Sequence, residues 1–233
     1  SGEEIVHAKF FSTWLVDLIF IPTFLFAIGV FALGLTRFVG DIHEEALKSG
    51  KTENKKIDPK GFIEAFIRVI PEILKHKKFS QCGENADRAT SHMMVLYGFI
   101  GLFIVTNIFF ITLYVFGIHG PYSQLNPVKW LANIAGVALV IGAILMIKDR
   151  LTATEQISTY KDWFLVTLAL LLGVTGMLTE MTRLGGAAGL SYTIYFIHLV
   201  FVWALFAYVP YSKLAHLVYR TVAMAYAEYT ERS

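Results

Sequence analysis

Residues 93–118 read MMVLYGFIGLFIVTNIFFITLYVFGI, 26 residues without one charged side chain. A helix rises about 1.5 Å per residue, so such a run crosses the roughly 30 Å hydrocarbon core of a bilayer with several residues to spare. It lacks the period-2 alternation of a barrel strand, and a backbone surrounded by lipid must satisfy its own hydrogen bonds, so a helix is the only reasonable reading. Four further apolar blocks lie on either side, at about Phe10–Phe38, Trp130–Ile147, Trp163–Leu178 and Leu190–Val209. The first has Asp17 as its one charge before Arg37, and the third is closed by Lys148-Asp149-Arg150. The last is expected to continue past Pro210 to Tyr219. The expected fold is an all-α integral membrane protein, a bundle of about five transmembrane helices.

Composition agrees. Of the 233 residues 55% are hydrophobic and 16% charged, against roughly 25% charged in soluble domains. A net charge of +2 gives no reason to expect a nucleic-acid partner. The single cysteine, Cys82, excludes a disulfide within the chain and any all-cysteine iron–sulfur cluster built by this chain alone. The first residue is Ser1 rather than Met, so a preceding segment is expected. The first apolar block is too long for the hydrophobic region of a cleavable signal peptide.

Charge placement sets the expected orientation. The stretch Val39–Ser91 holds ten Lys and Arg, whereas Gly120–Val128 holds none before Lys129 and Leu184–Gly189 holds none at all. Lysine and arginine stay on the cytoplasmic side, which places the 39–91 loop, the 148–161 loop and the C-terminus inside and Ser1 outside. Within the large loop Phe62, Phe66, Val69, Ile70 and Ile73 recur at helical spacing. They predict an amphipathic helix in the membrane interface or under a partner. Residues 1–233 are thus read as one membrane domain carrying a cytoplasmic loop at 39–91.

An ionisable side chain inside a transmembrane helix is costly and marks function. His198 and His216 lie 18 residues apart, which on one continuous helix is five whole turns and about 27 Å, so both would face one way at two depths. His92 stands at the cytoplasmic end of the second block, at the depth expected for His216. Two facing neutral imidazoles can close both axial positions of a heme iron. The expected cofactors are two noncovalent hemes b, since no Cys-x-x-Cys-His attachment site occurs. For the second heme, held by His198, no histidine stands near Asn107–Phe110, where a partner would be level with it. His119, His7 or an open or non-histidine position remains. A lone histidine at a helix end is more often a hydrogen-bonded surface residue than a ligand. His76 is read as a cytoplasmic surface residue that touches a partner or a heme propionate, and His43 as a solvated helix-end residue.

The stretch Phe196-Ile197-His198-Leu199-Val200 through Pro210-Tyr211-Ser212-Lys213-Leu214-Ala215-His216 resembles the cytochrome b family of the respiratory nitrate reductase gamma subunit. Gly98-Phe99-Ile100-Gly101, Lys148-Asp149-Arg150-Leu151 and Gly176-Met177-Leu178-Thr179 support the resemblance. It implies that His198 and His216 ligate two hemes. In that family two histidines stand mid-helix on the second helix; here the first is displaced to His92 and the second is missing. A closer resemblance is to the membrane subunit of the quinone-interacting membrane-bound oxidoreductase of sulfate reducers and its heterodisulfide-reductase-like relatives. It rests on His76-Lys77-Lys78-Phe79-Ser80-Gln81-Cys82, Arg88, His92 and Asn126-Pro127-Val128-Lys129-Trp130-Leu131-Ala132-Asn133. This implies an inner-membrane, multi-pass protein that exchanges electrons between menaquinone and cytoplasmic flavin and iron–sulfur subunits, in sulfate respiration toward adenylylsulfate reductase. Such proteins carry an iron–sulfur domain ahead of the membrane part; a cytoplasmic domain there would put Ser1 inside, unless a further crossing precedes it.

The nitrate reductase resemblance also implies a quinone-pocket lysine near the outer start of the third helix, within about two positions of Lys129. A cation there can hydrogen-bond a quinone carbonyl. The alternative is an anchor snorkelling to headgroups beside Trp130. Arg183 and Glu180 line the same pocket or pair with each other. Two other functions compete with electron transfer. A transporter is disfavoured by the lack of paired interior acids and of broken helices in matching halves. A heme-free membrane anchor leaves the five-turn histidine pair unexplained.

Overall fold

The computed structural model describes residues 11–74, 86–120, 122–152 and 160–231. Among them the regular elements are all helical: α1 (Thr13–Lys48), α2 (Pro59–Leu74), α3 (Ala86–Tyr114), α4 (Pro127–Thr152), α5 (Tyr160–Leu184), α6 (Ala188–Tyr208), a 3₁₀ turn (Val209–Tyr211) and α7 (Lys213–Thr230). Five segments are long and apolar enough to cross a membrane: Thr13–Lys48, Thr90–Tyr114, Pro127–Thr152, Trp163–Leu184 and Ala188–Tyr211. Their apolar side chains point outward, with Trp14 70%, Ile134 67% and Leu33 64% exposed. Water would not tolerate such a surface; hydrocarbon is its natural solvent. The chain is a multi-pass membrane protein.

The backbone forms two compact units, residues 1–20 with 84–205, and residues 21–83 with 206–233. In the first, glycines let α3 and α4 approach closely. A Cβ at Gly98 would lie 3.0 Å from Leu139 Cα, one at Gly101 2.8 Å from Ala135 Cβ, and one at Gly142 2.8 Å from Met94 Cβ. Lipid tails are as apolar as leucine, so membrane helices gain adhesion from such close backbone packing rather than from burial of oily side chains. Leu139, Ala143, Val166 and Ala169 form the core of α4 against α5, with Val95, Phe99 and Leu102 of α3 packed around them. The α5–α6 turn closes on Gly186 at φ +73°. The Ala187 N–H donates to the Thr182 carbonyl at 3.0 Å and the Gly186 N–H to that of Arg183 at 3.2 Å, a helix end that needs a left-handed residue.

In the second unit α7 lies along the inner part of α1. A Cβ at Gly34 would collide with the Tyr219 hydroxyl, and Phe38 meets the Tyr219 ring edge-on at 5.2 Å. Ala46, Ala65, Tyr226 and Tyr229 then join α1, α2 and α7 in one cluster. Asp58 starts α2, its carboxylate accepting the Gly61 N–H at 2.9 Å while its own N–H donates to Tyr229 Oη at 3.0 Å.

Two of the boundaries that differ from those expected bear on the histidines. α1 runs ten residues past Phe38, so the hydrophilic stretch begins as helix. A Glu44–Lys48 pair at 2.6 Å supports its last turn, and Gly50 at φ +71° ends it. The fifth transmembrane helix does not continue past Pro210. That residue has no N–H to offer the preceding turn, so α6 ends at Tyr208. Ser212 is extended and its Oγ accepts the Leu214 N–H at 3.2 Å, which starts α7 afresh. The whole-turn count from His198 to His216 therefore does not carry across the break.

Gly142→Leu should disrupt the α3–α4 contact and lower stability by about 1–3 kcal/mol through overpacking. Gly29→Ala, where nothing lies within 4 Å of the added carbon, should be neutral or slightly stabilising. Thermal unfolding of the detergent-solubilised protein, followed by circular dichroism, should separate the two.

Candidate functional site: the intramembrane histidines

His198 stands in the middle of α6 and faces α5. Its ring lies against Gly176, where a Cβ would come within 3.1 Å of His198 Cε1, so glycine leaves the space that the imidazole fills. Thr175 Oγ1 lies 2.9 Å from His198 Nδ1 and 2.6 Å from the Leu171 carbonyl. The hydroxyl has one proton, and the carbonyl can only accept, so that proton goes to Leu171 and the oxygen accepts the Nδ1–H. This assignment fixes the tautomer and leaves the lone pair on Nε2, the arrangement a metal-ligating histidine requires. The cradle and the donor chemistry both fit a histidine that could hold heme iron.

His92 lies on α3 with an exposed side chain. Its neighbour Ser91 donates to Asp149 at 3.2 Å, which sets His92 level with Lys148-Asp149-Arg150 at the end of α4. Arg150 stacks over Trp163 at 5.8 Å, and its Nη1 is enclosed without a hydrogen-bond partner. His216 is exposed on α7. It precedes Tyr219 by one turn, and Tyr219 is level with Gly34 and Phe38, so His216 lies alongside the apolar part of α1. His92 and His198 belong to the first unit and His216 to the second. His119 follows Gly117, which has φ +65°, and its Nδ1–H donates to the Gly117 carbonyl at 2.9 Å. His7, His76 and Cys82 lie outside the described residues.

His43 is not the solvated helix-end residue expected. Because α1 continues beside α7, His43 is half-buried, its Nδ1 shares a 2.7 Å hydrogen bond with Tyr226 Oη, and its Nε2 is enclosed without a partner among the described residues. Burial, and secondarily the neighbouring Tyr229, pushes the Tyr226 phenol above its ordinary range.

At the opposite end of the first unit Glu180 gathers three donors on one carboxylate. Lys129 Nζ lies 2.9 Å and Arg183 Nη2 3.0 Å from Oε1, which Gln124 Nε2 also approaches. All three charged side chains are less than one-fifth exposed. Lys129 is thus tied to α5 rather than snorkelling freely. Trp130 beside it is 58% exposed and donates through its ring N–H to the Gln124 carbonyl at 2.7 Å, as a belt residue would. Asp17 of α1 accepts from Tyr114 Oη at 2.5 Å, which sets the start of α1 beside the end of α3.

Sequence reasoning missed Thr175, although a signal existed. It precedes Gly186 by eleven residues and His198 follows by twelve, so a helical hairpin turning there puts the two level. The Arg150–Trp163 contact and the Asp17–Tyr114 bond had no such signal.

No family model matches the chain, and no solved structure matches it. The chain is similar to the E component of the dihydromethanophenazine:CoB–CoM heterodisulfide reductase of Methanosarcina thermophila, at 27% identity over 150 residues. The match covers 56% of this chain and 55% of that protein, so it spans about half the length of the curated relative.

Glu180→Gln should lower stability by roughly 1–3 kcal/mol, because it leaves two poorly hydrated cations without their counter-charge. Lys129→Met should cost less, since Arg183 and Gln124 still satisfy the carboxylate. Thermal melts of the two variants in one detergent would rank them.

Proposed function

We propose that this chain is the heme b-carrying membrane subunit of a quinone oxidoreductase complex in the inner (cytoplasmic) membrane. It would pass electrons between menaquinone and cytoplasmic flavin and iron–sulfur subunits, in sulfate respiration toward adenylylsulfate reductase. The observation that carries the reading is His198, held by Thr175 and Gly176 in mid-helix with its Nε2 lone pair free of the Thr175 bond. The similarity to a heterodisulfide reductase component and the resemblance carried by the sequence around His198 and His216 support it.

Bound heme would supply one-electron transfer. As read from the sequence alone, His92 and His216 would hold the heme nearer the cytoplasm. His198 would hold the other, with His119 as the candidate second residue. Arg150, whose enclosed Nη1 lacks an acceptor, would take a carboxylate of the heme on the His92 side. Lys129 has three N–H donors and spends one on Glu180, which leaves two for a quinone carbonyl. Arg183 and Gln124 hold Glu180, so the lysine is aimed before any quinone arrives.

A reduced-minus-oxidised absorbance spectrum tests the central assignment. It should show b-type bands, with the pigment extractable by acid–acetone, and a colourless folded protein would end this reading in favour of a heme-free anchor. His92→Ala and His216→Ala should each abolish the same spectral component. Thr175→Val should keep the heme but raise the midpoint potential of the His198 component alone, because an imidazole that has lost its hydroxyl acceptor donates less to iron. Lys129→Ala should slow heme reduction by a menaquinol analogue about tenfold, the worth of one charge-assisted hydrogen bond. Its reaction with a small artificial reductant should be unchanged.

A further inference from the structure

α2 has three faces. At about 100° per residue, Ala65 and Val69 face α7 and are buried, and Phe62 packs there on Tyr229. Lys60, Glu64 and Arg68 form a polar strip, with Glu64 and Arg68 paired at 3.3 Å. Ile63, Ile67 and Ile70 form a ridge within roughly 60° of arc. They are 57%, 60% and 36% exposed. Among the described residues, no element of the second unit covers that ridge.

Contacts within the second unit fix its depth. The apolar run of α1 ends at Arg37, which puts the hydrocarbon edge close to Phe38, and Phe38 meets Tyr219. From there α7 runs with α1 away from the bilayer, with His43 at Tyr226 and Ala46 beside Tyr226 and Tyr229. α2 begins at Tyr229, which receives the Asp58 N–H and packs on Phe62. α7 ends at Thr230, so α2 can pack along it only by running back toward the membrane. Tyr229 lies about 15 Å below Tyr219, and by Ile70 the returning helix has regained about 12 Å of that. The headgroup layer on each side is about 5–7 Å deep. Ile70 therefore reaches the hydrocarbon edge, Ile67 approaches the headgroup layer and Ile63 lies on its water side.

We infer that α2 is an inclined interfacial helix whose Ile63–Ile67–Ile70 ridge inserts its C-terminal end into the anionic lipid of the cytoplasmic leaflet. The occupant is lipid because the ridge is apolar and exposed and ends at the depth of headgroups, which a soluble protein does not enter. Lys51, Lys55, Lys56 and Lys60 are all exposed on the approach to α2 and outnumber Glu53 and Asp58. They lie within about one Debye length of the surface, where each lysine adds attraction to anionic lipid. This surface is independent of heme and quinone.

The test uses the full chain with Cys82→Ser, spin-labelled at single cysteines replacing Ile63, Ile67, Ile70 or the polar-strip residue Glu64. The protein is placed in nanodiscs of mixed phosphatidylglycerol and phosphatidylcholine. The ratio of oxygen to water-soluble nickel-chelate collisions should rise several-fold from position 63 to position 70, while position 64 stays open to nickel. Replacing phosphatidylglycerol by phosphatidylcholine should lower the ratio at 67 and 70. Equal nickel access along the ridge would overturn the proposal, as would protection that appears only when cytoplasmic subunits are added, which would make the ridge a protein-docking surface. A ratio indifferent to lipid charge would overturn the anionic preference.

Discussion

A peptide group or hydroxyl left unpaired in hydrocarbon costs several kcal/mol, and most of this structure follows from avoiding that cost. It makes every spanning segment helical. It also sends the polar side chains of those segments back to their own backbone. The hydroxyls of Thr106, Thr112, Thr179 and Thr182 each donate to the carbonyl four residues earlier, and Asn107 does the same through its amide at 2.7 Å. Asn107, level with His198 in the sequence reading, donates that amide N–H to the Phe103 carbonyl. With polar groups retired in this way, helices adhere through shape, which is why Gly98, Gly101 and Gly142 sit where α3 meets α4.

The same constraint explains how much of the molecule could be read from sequence. Hydropathy marks the five spans because each must close its hydrogen bonds within one continuous run, and Met93–Ile118 or Trp130–Ile147 reads plainly for that reason. The helix ends do not read so well. Past Arg37 water is again available, so nothing in the composition distinguishes a helix that stops at Phe38 from one that continues to Lys48; the Glu44–Lys48 pair and the packing of Ala46 decide it. At Pro210 the residue signals a break, but the apolar and aromatic residues around it carry the opposite message, and local hydrogen bonding at Ser212 settles the matter.

The site was legible to the extent that histidine is rare in hydrocarbon. His198 stands out on that ground alone, whereas its support does not, because Thr175 and Gly176 are ordinary residues of a membrane helix. What makes them a cradle is the hairpin at Gly186, a tertiary fact. His43 shows the converse. Near a helix end it resembles a solvated residue, and only the course of α7 beside α1 turns it into the partner of Tyr226.

The distribution of charge bears on what kind of traffic the first unit could carry. Asp17 and Glu180, acids on two of the spanning helices, lie toward one end of the unit and are held there by Tyr114 and by Lys129, Arg183 and Gln124. An ion pathway would need such groups at mid-depth with their charges available. What α6 brings to mid-helix is instead an imidazole whose Nδ1–H is spent on Thr175. Of the ionisable side chains, histidine is the one that can be neutral near pH 7 at little cost and still present a lone pair. A neutral donor fixed in one tautomer suits a metal that changes charge by one electron. It suits a moving cation poorly, since a pathway residue must release what it binds. The chemistry at His198 and the confinement of the acids thus support the proposed electron transfer over ion transport.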